Sequence, residues 1–289
     1  MKPLIKKIHW NINQNCNMAC EFCYLWRYDN TGVLSTEVAK ELIHQATEAK
    51  IEWFVFGGGD PLMRKDLPQL LIYAKELGLK TDLQTNAVLF TDQIFKSIYK
   101  YIDKIGLSLD GQDETTHDGI RKYPGHFKIV LKAIEKCQDA KIPVVIRTTV
   151  FKSNIGKLSN LGRVLSKYDI IRKWSVREFV PLGRGQINKS KYSISRKEFL
   201  NEVNVIKSKN ICLPFPIIPV AADEMNNCYC LVSQDGLFYT HPREGIYHSM
   251  GKFPLEPLEV IISRIKYNVK LRKSREKKER QTQVAIIVR

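Results

Sequence analysis

The sequence predicts an α/β protein built on a parallel sheet, and three observations carry that reading. Short runs rich in β-branched and aromatic residues recur six times, at 4–12, 53–56, 81–84, 104–109, 144–150 and 174–180. Amphipathic segments of helical period separate them, and the connections are short. A parallel strand pair needs a crossover, and a helix is the usual one. Six such units can close partly into a barrel or lie open as a doubly wound sheet, and the pattern alone leaves that choice open. In either case chemistry belongs at the carboxyl ends of the strands, where the βα loops gather.

The helices carry recognisable start signals. Thr36 is placed to cap a helix with Val38, Leu42, Ile43 and Ala46 on one face. Asp66 precedes a second, running through Leu70, Leu71 and Ala74 and stopping near Gly78. Thr91 opens a third with Ile94, Phe95 and Ile98, Gly125 precedes a fourth over 129–140, and a fifth is expected over 155–168. The pattern changes after Gly183–Gly185. Ser195 and Glu198 form a capping box for a helix to about Lys209. The passage LPFPIIP reads as a break in regular structure, LVSQDGLFYT as a hairpin turning at Asp235-Gly236, and a last helix starts near Glu256. The expected division is a core over 1–209 and a small α+β extension over 210–289 that ends in a basic helix or tail.

A chain of 289 residues with 44% hydrophobic content is ample for a substantial core. No apolar run approaches the about 18 residues of a membrane span, and the first dozen residues lack a signal-peptide core, so a cytoplasmic protein with no membrane partner is expected. Seven cysteines, odd in number, do not form a secreted disulfide framework. The formal charge of +16 favours encounter with nucleic acid, acidic peptides or phosphorylated small molecules, and it is densest over 266–280.

The stretch CNMACEFC places Cys16, Cys20 and Cys23 directly after the first strand. Structural zinc wants four ligands, and no fourth Cys or His follows at finger-like spacing. A redox pair needs only two thiols. Three thiolates on an iron–sulfur cube leave one iron open to bind a small molecule. FGGGDPL ends the second strand, where glycines allow close backbone approach and Asp60 offers a carboxylate to an ammonium group. It is not a dinucleotide fingerprint, because no G-x-G-x-x-G opens the next helix.

With Phe22 just before the third cysteine, this motif resembles that of the radical S-adenosylmethionine (SAM) superfamily. The resemblance implies a partial (β/α)6 barrel in which a [4Fe-4S] cluster on Cys16, Cys20 and Cys23 binds SAM through its open iron. Reductive cleavage of SAM then gives a radical that abstracts hydrogen from a substrate. It further implies SAM contacts from Phe22, Gly58, Gly59, Asp60, Asn86, Ser108 and Arg147, with Asp60 replacing the family's glutamate. Arg147 would grip the methionyl carboxylate, Thr85 and Asp110 would lie near the ligand, and backbone around Leu182 and Gly183 would meet the adenine. His117 and Arg121, in SLDGQDETTHDGIRKY, read as helix capping and surface charge.

The likeness is to the branch containing peptide maturases and haem- or cofactor-pathway enzymes, and it covers the chain from Cys16 to about Gly185. Relatives in that branch append a cysteine-rich SPASM or twitch domain, whereas this chain reads Tyr239, Thr240, His241 and Pro242 after the hairpin. With only Cys212, Cys228 and Cys230 nearby, a second cluster is not expected. Cys137 reads as buried and inert. The expected substrate is a peptide or a cofactor precursor, with flavodoxin or ferredoxin as reductant. An RNA substrate held by the basic tail and a non-catalytic iron–sulfur sensor are the alternatives.

Overall fold

Alternation along the first strand, β1 (Lys7–Asn11), separates two environments. Ile8 and Trp10 are fully buried in the main apolar core. Lys7, His9 and Asn11 turn to the opposite face. The computed structural model describes residues 5–25, 32–209, 213–225, 228–240 and 248–265.

The strands and helices follow in the expected order: α1 (Thr36–Glu48), β2 (Trp53–Gly57), α2 (Leu67–Glu76), β3 (Lys80–Thr85), α3 (Asp92–Ile98) and β4 (Lys104–Ser108). Then come α4 (Glu114–Arg121), α5 (His126–Asp139), β5 (Val144–Val150), α6 (Leu158–Leu165) and β6 (Ile171–Glu178). Two single turns, α7 (Arg184–Ile187) and α8 (Lys189–Tyr192), lead to α9 (Arg196–Ser208). Strands β7 (Ile217–Val220), β8 (Cys230–Val232), β9 (Leu237–Thr240) and β10 (Ser249–Lys252) precede α10 (Leu258–Ser263). Thr91 caps α3 through the Ile94 amide, and Ser195 with Glu198 forms the capping box of α9. Ser35, not Thr36, caps α1.

All strands among the described residues lie in one sheet of order β10-β9-β8-β1-β2-β3-β4-β5-β6-β7, parallel from β8 through β7. The sheet curves into the partial barrel of the expected class. Its concave face brings distant strands together: Asp82 on β3 lies 3.9 Å from both Lys7 on β1 and Arg147 on β5.

The region beyond Lys209 adds strands to both edges of that same sheet. LPFPIIP, expected to break regular structure, instead contributes β7, which pairs with β6 alone. An edge strand tolerates Pro219 because one side of its backbone needs no partner. The hairpin forms as expected, but its first strand also pairs in parallel with β1. Cys212, His241, Pro242 and the basic run 266–280 lie outside the described residues.

Arg64, which follows the glycine turn, ties three segments together. It pairs bidentately with Asp66 at 2.7 and 2.9 Å and donates to the carbonyls of Ile12 at 3.1 Å and Leu34 at 2.9 Å. Its guanidinium stacks over Trp10 at 5.1 Å. Asp66 is therefore occupied with Arg64 and Thr36 rather than with capping α2. Arg64→Ala leaves Asp66 without its charge partner and the Ile12 and Leu34 carbonyls without the Arg64 donor, so urea unfolding should show a loss of about 3 kcal/mol.

Candidate active site

The segment after β1 carries all three thiols and is held from both sides. On one side the Gly59 amide donates to the Asn13 carbonyl at 2.9 Å and the Asp60 amide to the Asn15 carbonyl at 2.8 Å. The Asn13 side chain returns a bond to the Asp60 carbonyl at 2.8 Å. A Cβ on Gly58 would stand 2.5 Å from the Asn13 carbonyl oxygen, and one on Gly59 2.1 Å from that of Asn15. The glycines expected to face a ligand thus seat the thiol loop itself. On the other side the Gly185 amide reaches the Cys23 carbonyl at 3.3 Å, and a Cβ on Gly183 would stand 2.4 Å from the Leu25 carbonyl oxygen. Glu21 is gripped by Lys191 at 2.5 Å and by the Tyr192 hydroxyl at 2.8 Å. The Leu182–Gly183 stretch, expected near adenine, packs here.

Asp60 is fully buried, and its carboxylate is already engaged. It accepts from the Leu62 amide at 3.0 Å, the Thr85 hydroxyl at 2.7 Å and the Asn86 amide at 2.7 Å. Burial raises its pKa, and these three bonds oppose the rise. Rather than presenting a free oxygen, Asp60 joins the carboxyl ends of β2 and β3. Asn86 in turn donates to the Asn17 side chain at 2.7 Å and approaches the Cys16 sulfur at 3.5 Å.

Of the two residues read as capping and surface charge, His117 is fully buried and the Arg121 side chain is 12% exposed. The Asp110 amide donates to His117 Nδ1 at 3.0 Å, so His117 carries its proton on Nε2. That Nε2 lies 2.7 Å from His126 Nδ1, and His126 Nε2 then donates to the Asn86 carbonyl at 2.8 Å. Two neutral imidazoles, hydrogen-bonded edge to edge with their planes 10° apart, therefore link the end of β4 to that of β3. Burial holds His117 well below the ordinary value and His126 at about 4, with the Arg121 charge acting the same way.

Arg121 lies at the thiols. Its guanidinium pairs with Asp110 at 2.6 Å and sits over the Phe22 ring at 5.0 Å, and its carbonyl lies 3.6 Å from the Cys20 sulfur. The tight Gly111–His117 approach turns α4 inward: a Cβ on Gly111 would stand 2.5 Å from the His117 nitrogen. Sequence reasoning missed both residues because polar positions on a short helix look solvated, although a lone Gly ahead of His was a signal of close packing. Phe22 packs among Phe151, Tyr192 and Arg121, anchoring the loop from inside. Ser108 ends β4 in register with Arg147. Arg147 points down the lumen, not up to the rim: a Cβ on Gly106 would stand 1.4 Å from its Nη1. Cys137 and Cys230 are buried in the main core.

The donor chemistry fits an iron–sulfur cluster. Cys16 opens to solvent, while Cys20 is buried. Burial is the main cause holding the Cys16 thiol up at about 11 and raising that of Cys23, with Arg121 and Arg184 opposing at Cys23. Buried Asn13 Oδ1, Gln14 Nε2 and Asn17 Nδ2 have no partner on this same loop. Thiols become thiolates only when a metal displaces their protons, and the amide donors and Arg121 suit the anionic assembly that results.

Residues 10–160 match the model of the Radical SAM superfamily, and the chain belongs to that superfamily. Its members use a [4Fe-4S] cluster and SAM. The chain is 30% identical over 185 residues to an AdoMet-dependent heme synthase of Nitratidesulfovibrio vulgaris, covering 63% of this chain and 50% of that protein. It is 29% identical to an S-adenosylmethionine-dependent nucleotide dehydratase of Lacinutrix mariniflava, covering 81% of this chain and 50% of that protein. It thus spans about half the length of these relatives. Streptococcus suis SuiB, solved with its precursor peptide SuiA, superposes with a TM-score of 0.70 at 16% identity, over 92% of this chain and 66% of SuiB. That likeness concerns the fold.

Two outcomes follow from this geometry. Gly59→Ala should lose anaerobic iron loading, whereas Gly119→Ala, whose Cβ meets nothing within 4 Å, should retain it. His126 stays neutral when folded, so the unfolded chain gains a proton first as pH falls from 6.5 toward about 4. Stability is therefore lost through that window, by about 2 kcal/mol at pH 5 from this residue alone. Urea titrations of wild type and His126→Gln at pH 7 and 5 should show the smaller loss in the variant.

Proposed function

We propose that this chain cleaves SAM reductively at a [4Fe-4S] cluster anchored by Cys16, Cys20 and Cys23, and directs the resulting radical at a peptide or cofactor-precursor substrate. The observation that carries the reading is the thiol loop, seated by glycine contacts on the rim of a partial barrel. When bound, the cluster supplies an electron to the sulfonium and an open iron for the methionyl group.

The chain's own residues supply position. Phe22 holds the loop from within, and the Gly58–Gly59 backbone fixes its height above β2. Asp60 aligns Asn86 against the Cys16 side of the site, and the His117–His126 pair holds Asn86 from behind. Ser108 offers a hydroxyl on the same rim. Arg121 lies beside Cys20 and takes the place expected of Arg147 next to the cluster. Partial closure of the barrel keeps water from a reactive intermediate. Flavodoxin or ferredoxin is the proposed reductant.

Anaerobic reconstitution should give about four irons per chain. Dithionite-reduced protein should release 5′-deoxyadenosine from SAM, and alanine at Cys16, Cys20 or Cys23 should abolish both. Iron loading without 5′-deoxyadenosine would overturn the enzymatic reading in favour of a sensor.

A further inference from the structure

Positive charge outnumbers negative on the lumen wall below the thiol loop. Lys7, Lys104, Arg147 and Arg177 face it from β1, β4, β5 and β6, and Asp82 is the carboxylate among them. Asp82 lies nearest Lys104, at 3.2 Å, and is 3.9 Å from Arg147, beyond hydrogen-bond reach. Arg147 Nη1 is buried with no acceptor. Arg177 donates to the Ser175 hydroxyl at 3.3 Å and has no carboxylate partner among the described residues. The two guanidiniums oppose one another: burial first, and then the Arg177 charge, pull Arg147 below its ordinary value, while Asp82 resists.

Hydroxyl groups complete the wall. Ser108, Arg147 and Ser175 stand in one register row across β4, β5 and β6. Tyr24, directly after Cys23, hangs into this space, with its hydroxyl 3.4 Å from Asn11 Oδ1. A planar guanidinium with unused donors matches a carboxylate or phosphate bidentately.

We propose that Arg147 and Arg177 form the anchor for an oxyanion on a small-molecule substrate, a carboxylate or phosphate held in the lumen beneath the thiol loop. This rests on the enzymatic reading above and narrows its substrate to anionic small molecules, with a peptide lacking an acidic group disfavoured. The position, directly under Tyr24, presents the remainder of such a molecule toward the rim.

The test uses the iron-loaded full chain and two probes, inorganic pyrophosphate and succinate, each against sodium chloride of equal ionic strength. At least one probe should raise the melting temperature, and the stronger one identifies phosphate or carboxylate as the source. Arg177→Gln should bind that probe about tenfold more weakly or worse, as expected for a lost charged hydrogen bond. Arg147→Lys, which keeps the charge beside Asp82, should weaken binding through loss of the fork. Iron content per chain reports whether each variant folds. The inference is overturned if neither probe exceeds the salt control, if both variants bind as wild type does, or if they lose SAM affinity while keeping the probe. SAM cleavage by the wild-type chain is scored separately: its failure removes the enzymatic reading and leaves probe binding to stand on its own.

Discussion

Backbone-to-backbone contact between the thiol loop and the Gly58–Gly59 turn is the constraint on which the rest of the site depends. No side chain fits between loop and turn: a Cβ on Gly59 or Gly58 would stand only 2.1 or 2.5 Å from a loop carbonyl oxygen. Paired amides and carbonyls then fix its height and register. Such contact fixes the backbone that carries the three sulfurs. Gly183 and Gly185 repeat the device on the opposite side. The three thiols are thus held by a strap anchored at β2 and after β6, and the aromatic group of Phe22, Phe151, Phe179 and Tyr192 fills the space beneath.

Around that strap the buried polar groups form one chain of bonds. Asp60 joins the ends of β2 and β3, Asn86 touches the thiol loop, and the two histidines carry the connection to Asp110. Asp110 also accepts from Arg121 and from the Thr149 amide, extending the chain to β5. Its members are partnered where they meet, which makes a buried polar network specify one geometry rather than destabilise it. A neutral imidazole pair suits this place, because Arg121 already brings a buried positive charge close by.

Local signals made much of this legible. The six β-α units, the caps at Thr91 and Ser195, the hairpin at Asp235-Gly236 and the three-thiol motif all depend on residues near one another in sequence. What stayed hidden depends on distant partners. Pro219 marks a break unless the strand is known to lie at an edge, and β8 is only three residues long until β1 gives it a parallel neighbour. Arg64, His117 and Arg121 carry polar side chains whose partners lie on other elements, so composition assigns them to solvent. Arg147 shows the same limit within a strand. Alternation tells which face it occupies, but only Gly106 across the sheet shows which way along the lumen its side chain runs.

The lumen also changes what the chain's charge means. A formal +16 spread over exposed lysines is screened by salt within about 10 Å. The cations facing the barrel interior are different, because the low-dielectric walls of the partial barrel focus their field and raise the local concentration of anions. Trp53 lies under Lys7 and Lys104 at 4.9 and 3.6 Å, and Lys80, 5.6 Å from the same ring, adds one further positive charge. Asp82 serves three of these cations at once, and burial, which would raise its pKa, is outweighed by Arg147, Lys104 and Lys7 together. It holds the cations in place without neutralising them. Added salt therefore weakens attraction at the outer surface far more than inside the barrel, and the lumen rather than the net charge selects what settles beneath the thiols.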